Sequence, residues 1–182
     1  VALVDVSGFD LAETGNEHWR TLWWRGGFPR AYLAESDAAS REWQEEFVQT
    51  LLERDLPQLG ISIPAPALRR FWAMMTHYHG QVWNGSELAR SLGTSEPTMR
   101  RYLDILSSTF MMRQLAPWHE NLGKRQVKSP KVYLRDAGTL HSLMRVASFE
   151  DLEAHPKLGA SWEGFALEQV LHLTGDRDAY FW

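Results

Sequence analysis

Arg100 and Arg101 stand side by side in "TSEPTMRRYLDIL", early in an expected helix, and Lys124, Arg125, Lys128 and Lys131 follow in and just after "HENLGKRQVKSP". Guanidinium and ammonium groups grouped in this way can neutralise phosphates, and a helix that presents arginines at its start can also reach base edges. Three other patterns invite chemistry and carry less of it. His77 and His79 are two positions apart, whereas zinc pairs on a helix use i, i+4. They read as core or surface histidines. Glu163 and Glu168 are five apart on one expected helix and do not share a face well, so they support no nuclease centre, which needs clustered carboxylates. Gly123-Lys124 is followed by Arg125 and lacks the earlier glycine of a phosphate-binding loop. No catalytic residue and no metal ligand is assigned, and the chain by itself is not expected to hydrolyse ATP.

Composition bounds the setting. The 182 residues are 44% hydrophobic, with nine Trp, eight Phe and no Cys, enough for one substantial core or two small domains. Without cysteine there is no disulfide framework, thiol nucleophile or cysteine zinc site, which suits a cytoplasmic protein. No apolar run approaches the roughly 18 residues that span a bilayer, so no membrane partner is expected. The net charge of −4 is uneven: Asn84 to Arg135 holds nine basic residues against Glu87, Glu96, Asp104 and Glu120, so this segment carries +5 and the remainder −9. A basic middle in an acidic chain is a domain-level signal. The opening "VALVDV" and closing "DAYFW" read as strands at cut ends, and the chain is expected to be a fragment of a longer protein.

The elements that must position these residues follow from periodicity. Residues 17–24 and 30–35 read as helices around Gly26-Gly27-Phe28-Pro29, and "SREWQEEFVQTLLERDLP" as an amphipathic helix stopped before Pro57. A proline-bearing link, "LGISIPAPA", is the expected domain boundary. A second long helix then places Leu68, Phe71, Trp72, Met75, His79 and Val82 on one side, losing its path near Gly80. In "NGSELARSLGTSEPTMRRYLDILSSTF" a short helix with Leu88, Ala89 and Leu92 inward meets Gly93, and Ser95 caps a helix buried through Met99, Tyr102, Leu103, Leu106 and Phe110. The Ala89, Gly93, Met99 spacing is that of a helix-turn-helix. The segments "FMMRQLAPW" and "KVYLRD" read as two strands joined by the basic loop, the wing of a winged helix. In "SWEGFALEQVLHL", Trp162, Phe165, Ala166, Gln169 and Val170 are expected to share a helix face.

Taken in order, "VALVDVSGFDLAE", "LWWRGGFPRAYL", "FVQTLLERDLPQLG", "YHGQVWNGSELARSLGTSEPTMRRYLDIL", "PKVYLRDAGTLH" and "SWEGFALEQVL" resemble the C-terminal two-thirds of a bacterial AAA-type P-loop ATPase family. In that family the P-loop domain is followed by a domain of unknown function, similar in part to restriction-endonuclease-like folds. The resemblance implies that Val1–Val6 is the last strand of an absent core and that Gly26, Gly27 and Pro29 belong to a nucleotide lid. An ordinary helix-helix turn remains the other reading of those three residues. It also implies ATP and magnesium for the longer protein, with none bound by this fragment. The phosphate loop, the acidic magnesium-binding strand and the arginine sensors are absent here, and the acid and Glu-x-Lys strand of an endonuclease site should follow Trp182.

The expected fold is mainly α with a small β component. It comprises the end of an ATPase core and helical lid (1–60), a winged helix-turn-helix (61–136) and the start of an endonuclease-like α/β domain (137–182). The expected function is to couple nucleotide state to DNA binding through Thr98, Arg100, Arg101, Lys124, Arg125 and Lys128. The alternative is a docking or autoinhibitory module, whose partner is another protein, a second copy or the ATPase core.

Overall fold

The computed structural model describes residues 7–118, 129–175 and 179–182; the strand expected at Val1–Val6 lies outside them. The chain is mainly helical with one small sheet. The first helix, α1 (Leu11–Thr14), starts on a capping box in which Asp10 and Glu13 satisfy each other's backbone N–H groups. After a 3-10 turn at Asn16–His18, α2 (Trp19–Arg25) buries Leu22 and Trp23 and ends where Gly26 turns to φ +79°. Pro29 opens α3 (Pro29–Tyr32), where its missing N–H costs nothing. Ser36 caps α4 (Asp37–Thr50).

The helix expected to stop before Pro57 does not stop there. It widens into a π-turn over Leu51–Asp55, in which Leu56 N–H reaches back to Leu51, and resumes as α5 (Leu56–Gln58). The wider turn accommodates a proline that has no N–H for an α-helical bond and whose ring would crowd the preceding turn.

The next helix, α6 (Ala65–Tyr78), runs into His79 and Gly80, whose φ of +75° breaks the helical path. Val82, expected on the inner side of that helix, therefore sits in strand β1 (Gln81–Val82), 39% exposed. Then come α7 (Gly85–Leu92), α8 (Glu96–Ser108), β2 (Met112–Pro117) and β3 (Lys131–Leu134). Antiparallel pairing of β3 with both β1 and β2 gives three helices closed by a small sheet, the arrangement of a winged helix. Strand β4 (Tyr180–Phe181) adds to the outer side of β2 in parallel.

The main core joins Leu52 and Leu56 to Phe71, Trp72 and Met75 of α6, to Leu88 of α7, and to Met99, Leu103 and Leu106 of α8. Each such side chain contributes roughly 1.5–3 kcal/mol by leaving water. Phe110, expected at the end of this stripe, is instead 57% exposed at φ +62°. Helix α8 has already ended at Ser108, and the chain must reverse to enter β2.

The C-terminal helices are α9 (Ala137–Met144), α10 (Phe149–Glu153) and α11 (Leu158–Thr174). Gly138 lets α9 approach α2 closely: a Cβ there would lie 2.1 Å from the carbonyl oxygen of Arg25. The buried face of α11 is Ser161, Gly164, Phe165, Glu168 and Leu171 rather than the expected aromatic one. Trp162 and Val170 are 43% and 54% exposed. Gly164 turns inward because the His79 ring fills the place of its absent side chain.

Candidate nucleic-acid interface

The helix-turn-helix is built from local rules. Asn84 caps α7 by accepting the Glu87 N–H at 3.2 Å, and Gly93 ends it at φ +65°. A Cβ at Gly93 would meet nothing within 4 Å, so backbone angle rather than space demands glycine. Ser95 accepts the Thr98 N–H at 3.3 Å, and its hydroxyl lies 2.8 Å from that of Thr98. Thr98 is thus part of the cap as well as a half-buried residue at the start of α8.

With Met99, Leu103 and Leu106 buried, Arg100 and Arg101 face solvent. Arg100 pairs with Asp104 at 3.2 Å, an exposed i, i+4 contact worth about 0.5 kcal/mol or less that a phosphate can displace. Arg101 makes no ion pair among the described residues. Glu96 and Asp104 share the exposed part of this helix, so its surface is near neutral rather than strongly basic. Lys124, Arg125 and Lys128 lie outside the described residues.

Three other cations of the basic middle turn inward. Lys131, the first residue of β3, bonds Glu163 at 3.2 Å, with the Phe181 ring 5.6 Å away. Tyr133 donates its hydroxyl to the same carboxylate at 2.6 Å. Arg113 and Arg135 both hold Glu168, which is buried in α11; one Arg113 terminal nitrogen donates at 2.9 Å and Arg135 Nε at 3.2 Å. Glu163 and Glu168 are thus ion-pair partners of the winged helix, and Lys131 and Tyr133 hold the Glu163 carboxyl below its usual range against the effect of burial. The described residues include no group of three acids or histidines that could hold a metal.

Gly26, Gly27 and Pro29 form a structural turn. The Gly27 N–H donates to Asp136 at 2.8 Å and its carbonyl accepts from Phe9 N–H at 2.7 Å, so both polar groups are committed. A Cβ on Gly26 would come within 2.3 Å of the Asp136 carboxylate. Asp136 caps α9 through the Thr139 N–H at 2.7 Å and also accepts from the Thr139 hydroxyl and Gln44. Burial pushes its pKa up, and the bonds from Thr139, Gly27 and Gln44 oppose that rise. The two glycines also line a cleft of about 410 Å³ with Phe28, Phe110, Arg135 and Phe165. Sequence reasoning missed Asp136 as the partner of this turn; the only signal was a helix-capping type, Asp followed three positions later by Thr.

Of the two histidines weighed for metal binding, His77 is exposed and His79 is buried, its Nδ1 accepting the Leu134 N–H at 3.0 Å. His141 is also buried, between the Ser161 hydroxyl at 2.7 Å and the Trp24 carbonyl at 3.1 Å. Burial holds both pKa values down, to about 4.

Residues 16–150 match a family model described as a domain of unknown function (DUF8612). Over its full length the chain is 49% identical to uncharacterized proteins of Mycobacterium bovis and Mycobacterium tuberculosis. It spans 41% of the length of those relatives. A solved structure, the crystal structure of a transcriptional regulator, aligns at 21% identity over 79% of this chain and 85% of that one. Its TM-score is 0.27, too low for the likeness to carry an argument.

Proposed function

The chain belongs to the family of this domain of unknown function, DUF8612, and we propose that it contacts duplex DNA through the exposed side of α8. The observation that carries the reading is the pair Arg100 and Arg101, held out from a helix-turn-helix whose opposite side is fixed in the core. Arg101 has no ion pair to break among the described residues, and Arg100 has only an exposed one. Thr98 supports the start of the helix, and Lys124, Arg125 and Lys128 supply further phosphate contacts from the segment between β2 and β3. The test is fluorescence anisotropy with a labelled random-sequence duplex. The Arg100→Ala, Arg101→Ala double variant should bind more weakly and show a salt dependence shallower by up to about two phosphate contacts. Equal binding by the variant and the parent chain would remove the proposal.

A second reading rests on a different observation. Trp19 and Trp162 are each more than two-fifths exposed and meet edge to face at 5.6 Å, and aromatic residues concentrate at protein interfaces. A docking or autoinhibitory contact through such a surface would be little affected by salt.

Within the longer protein, this reading makes the chain a non-catalytic output region governed by a core that uses ATP and magnesium. The Gly26–Pro29 turn would carry the coupling by pulling on Asp136 and hence on α9, since its own Gly27 N–H and carbonyl are already engaged. In the longer protein, ATP should increase hydrogen-exchange protection in residues 22–33; no change there would contradict the coupling.

A further inference from the structure

A second cleft, about 470 Å³, is assembled from α6, the end of α7, the end of α9 and the junction between α10 and α11. Arg70, His77, Arg145, His155 and Lys157 line it, and no carboxylate does. Its remaining wall is mostly apolar, with Ala73, Met74, Leu92, Leu143 and Met144 beside the hydroxyl-bearing Thr76 and Ser91. These cations lie outside the basic middle of the sequence, and only folding brings them together.

Helix ends explain part of this charge. Three helices, α6, α7 and α9, bring their C-terminal turns to the cleft, and each such end carries roughly half a negative charge. Lys157 answers one of them directly, donating from Nζ to the His77 carbonyl. Arg70, Arg145 and Lys157 are three full positive charges even with both histidines neutral, so a positive excess is left over. Arg70 and Arg145 have no ion pair among the described residues.

Arg145 adds an independent observation. It occupies the left-handed position after α9, at φ +59°, where its N–H satisfies the His141 and Ser142 carbonyls. Glycine is the residue ordinarily favoured at that position. The chain places there a long cation that lines the cleft and serves no carboxylate.

We propose that this cleft binds a small organic phosphate, its phosphate held among Arg70, Arg145 and Lys157 and its apolar part against the methionine and leucine wall. The volume falls within the range of small-molecule sites. A free phosphomonoester suits it better than a duplex, because the cations surround a cleft with an apolar wall rather than lie along an exposed ridge.

Isothermal titration calorimetry with phenyl phosphate tests the assignment. Saturable binding is expected below about 10 mM, falling with salt, with phenol at least roughly tenfold weaker. Arg145→Gly should weaken phenyl phosphate roughly tenfold while leaving the fold intact, since glycine suits the backbone there. Lys157→Gln should weaken it as well. Absence of saturation at that concentration, or unchanged affinity in Arg145→Gly, would overturn the proposal. So would duplex binding that Arg145→Gly weakens while phenyl phosphate does not bind, which would make the cleft a nucleic-acid contact.

Discussion

At the scale of single residues, the most consequential groups in this chain are buried and titratable. His79 and His141 are enclosed with pKa values near 4, against about 6.5 for an unfolded histidine. Above pH 6.5 both are neutral in either state, and their contribution to stability is fully present. As pH falls from 6.5 toward 4 the unfolded chain takes up protons that the folded chain refuses, so stability is lost. The loss is on the order of 1 kcal/mol per histidine for each pH unit in that window. Asp136 acts in the opposite sense, because burial raises its pKa and protonation at low pH favours the fold. Thermal unfolding followed between pH 7 and pH 4 should therefore show a falling Tm, and a flat profile would mean that the histidines are not buried as described. The apolar stripe of α6 placed His79 on its inner side, but nothing around "TLH" signalled the burial of His141, and nothing local showed that Gly164, far along the chain, leaves room for the His79 ring.

At the scale of elements, the helix-turn-helix was readable because its signals are local. Asn84, Gly93 and Ser95 stand at the cap and turn positions, and the Met99, Leu103, Leu106 stripe follows the helical period. Leu103 is fully buried in the core that carries α8. Leu103→Ala should cost about 2–5 kcal/mol, measured by urea unfolding, and weaken any contact made through α8. A loss under about 1 kcal/mol would show that α8 is not anchored there. Local signals failed where distant partners decide the outcome. Pro57 predicts a stop, but the π-turn before it lets the helix continue. The aromatic pattern of α11 points to the wrong face, because Glu168 is drawn inward by Arg113 and Arg135 and Gly164 by His79. The role of Gly26-Gly27 was ambiguous for the same reason: its partner, Asp136, lies 109 residues away from Gly27.

At the scale of the whole molecule, the charge split that suggested DNA binding has two origins. Part of it is structural, since Arg113, Lys131 and Arg135 are tied to the two glutamates of α11 and fasten the winged helix to the C-terminal helices. Among the described residues, what the basic middle leaves for an outside partner is Arg90 on α7 and Arg100 and Arg101 on α8, all exposed; the cleft at Arg145 is separate from that segment. The central claim is that α8 meets DNA through phosphates, and the salt dependence of binding tests it most directly. Anisotropy of a labelled duplex titrated with the chain should show log affinity falling linearly with log salt concentration, with a shallower slope in the Arg100→Ala, Arg101→Ala variant. Binding that is absent at low salt, or that has the same slope in the variant, would contradict the account and favour the protein-docking reading.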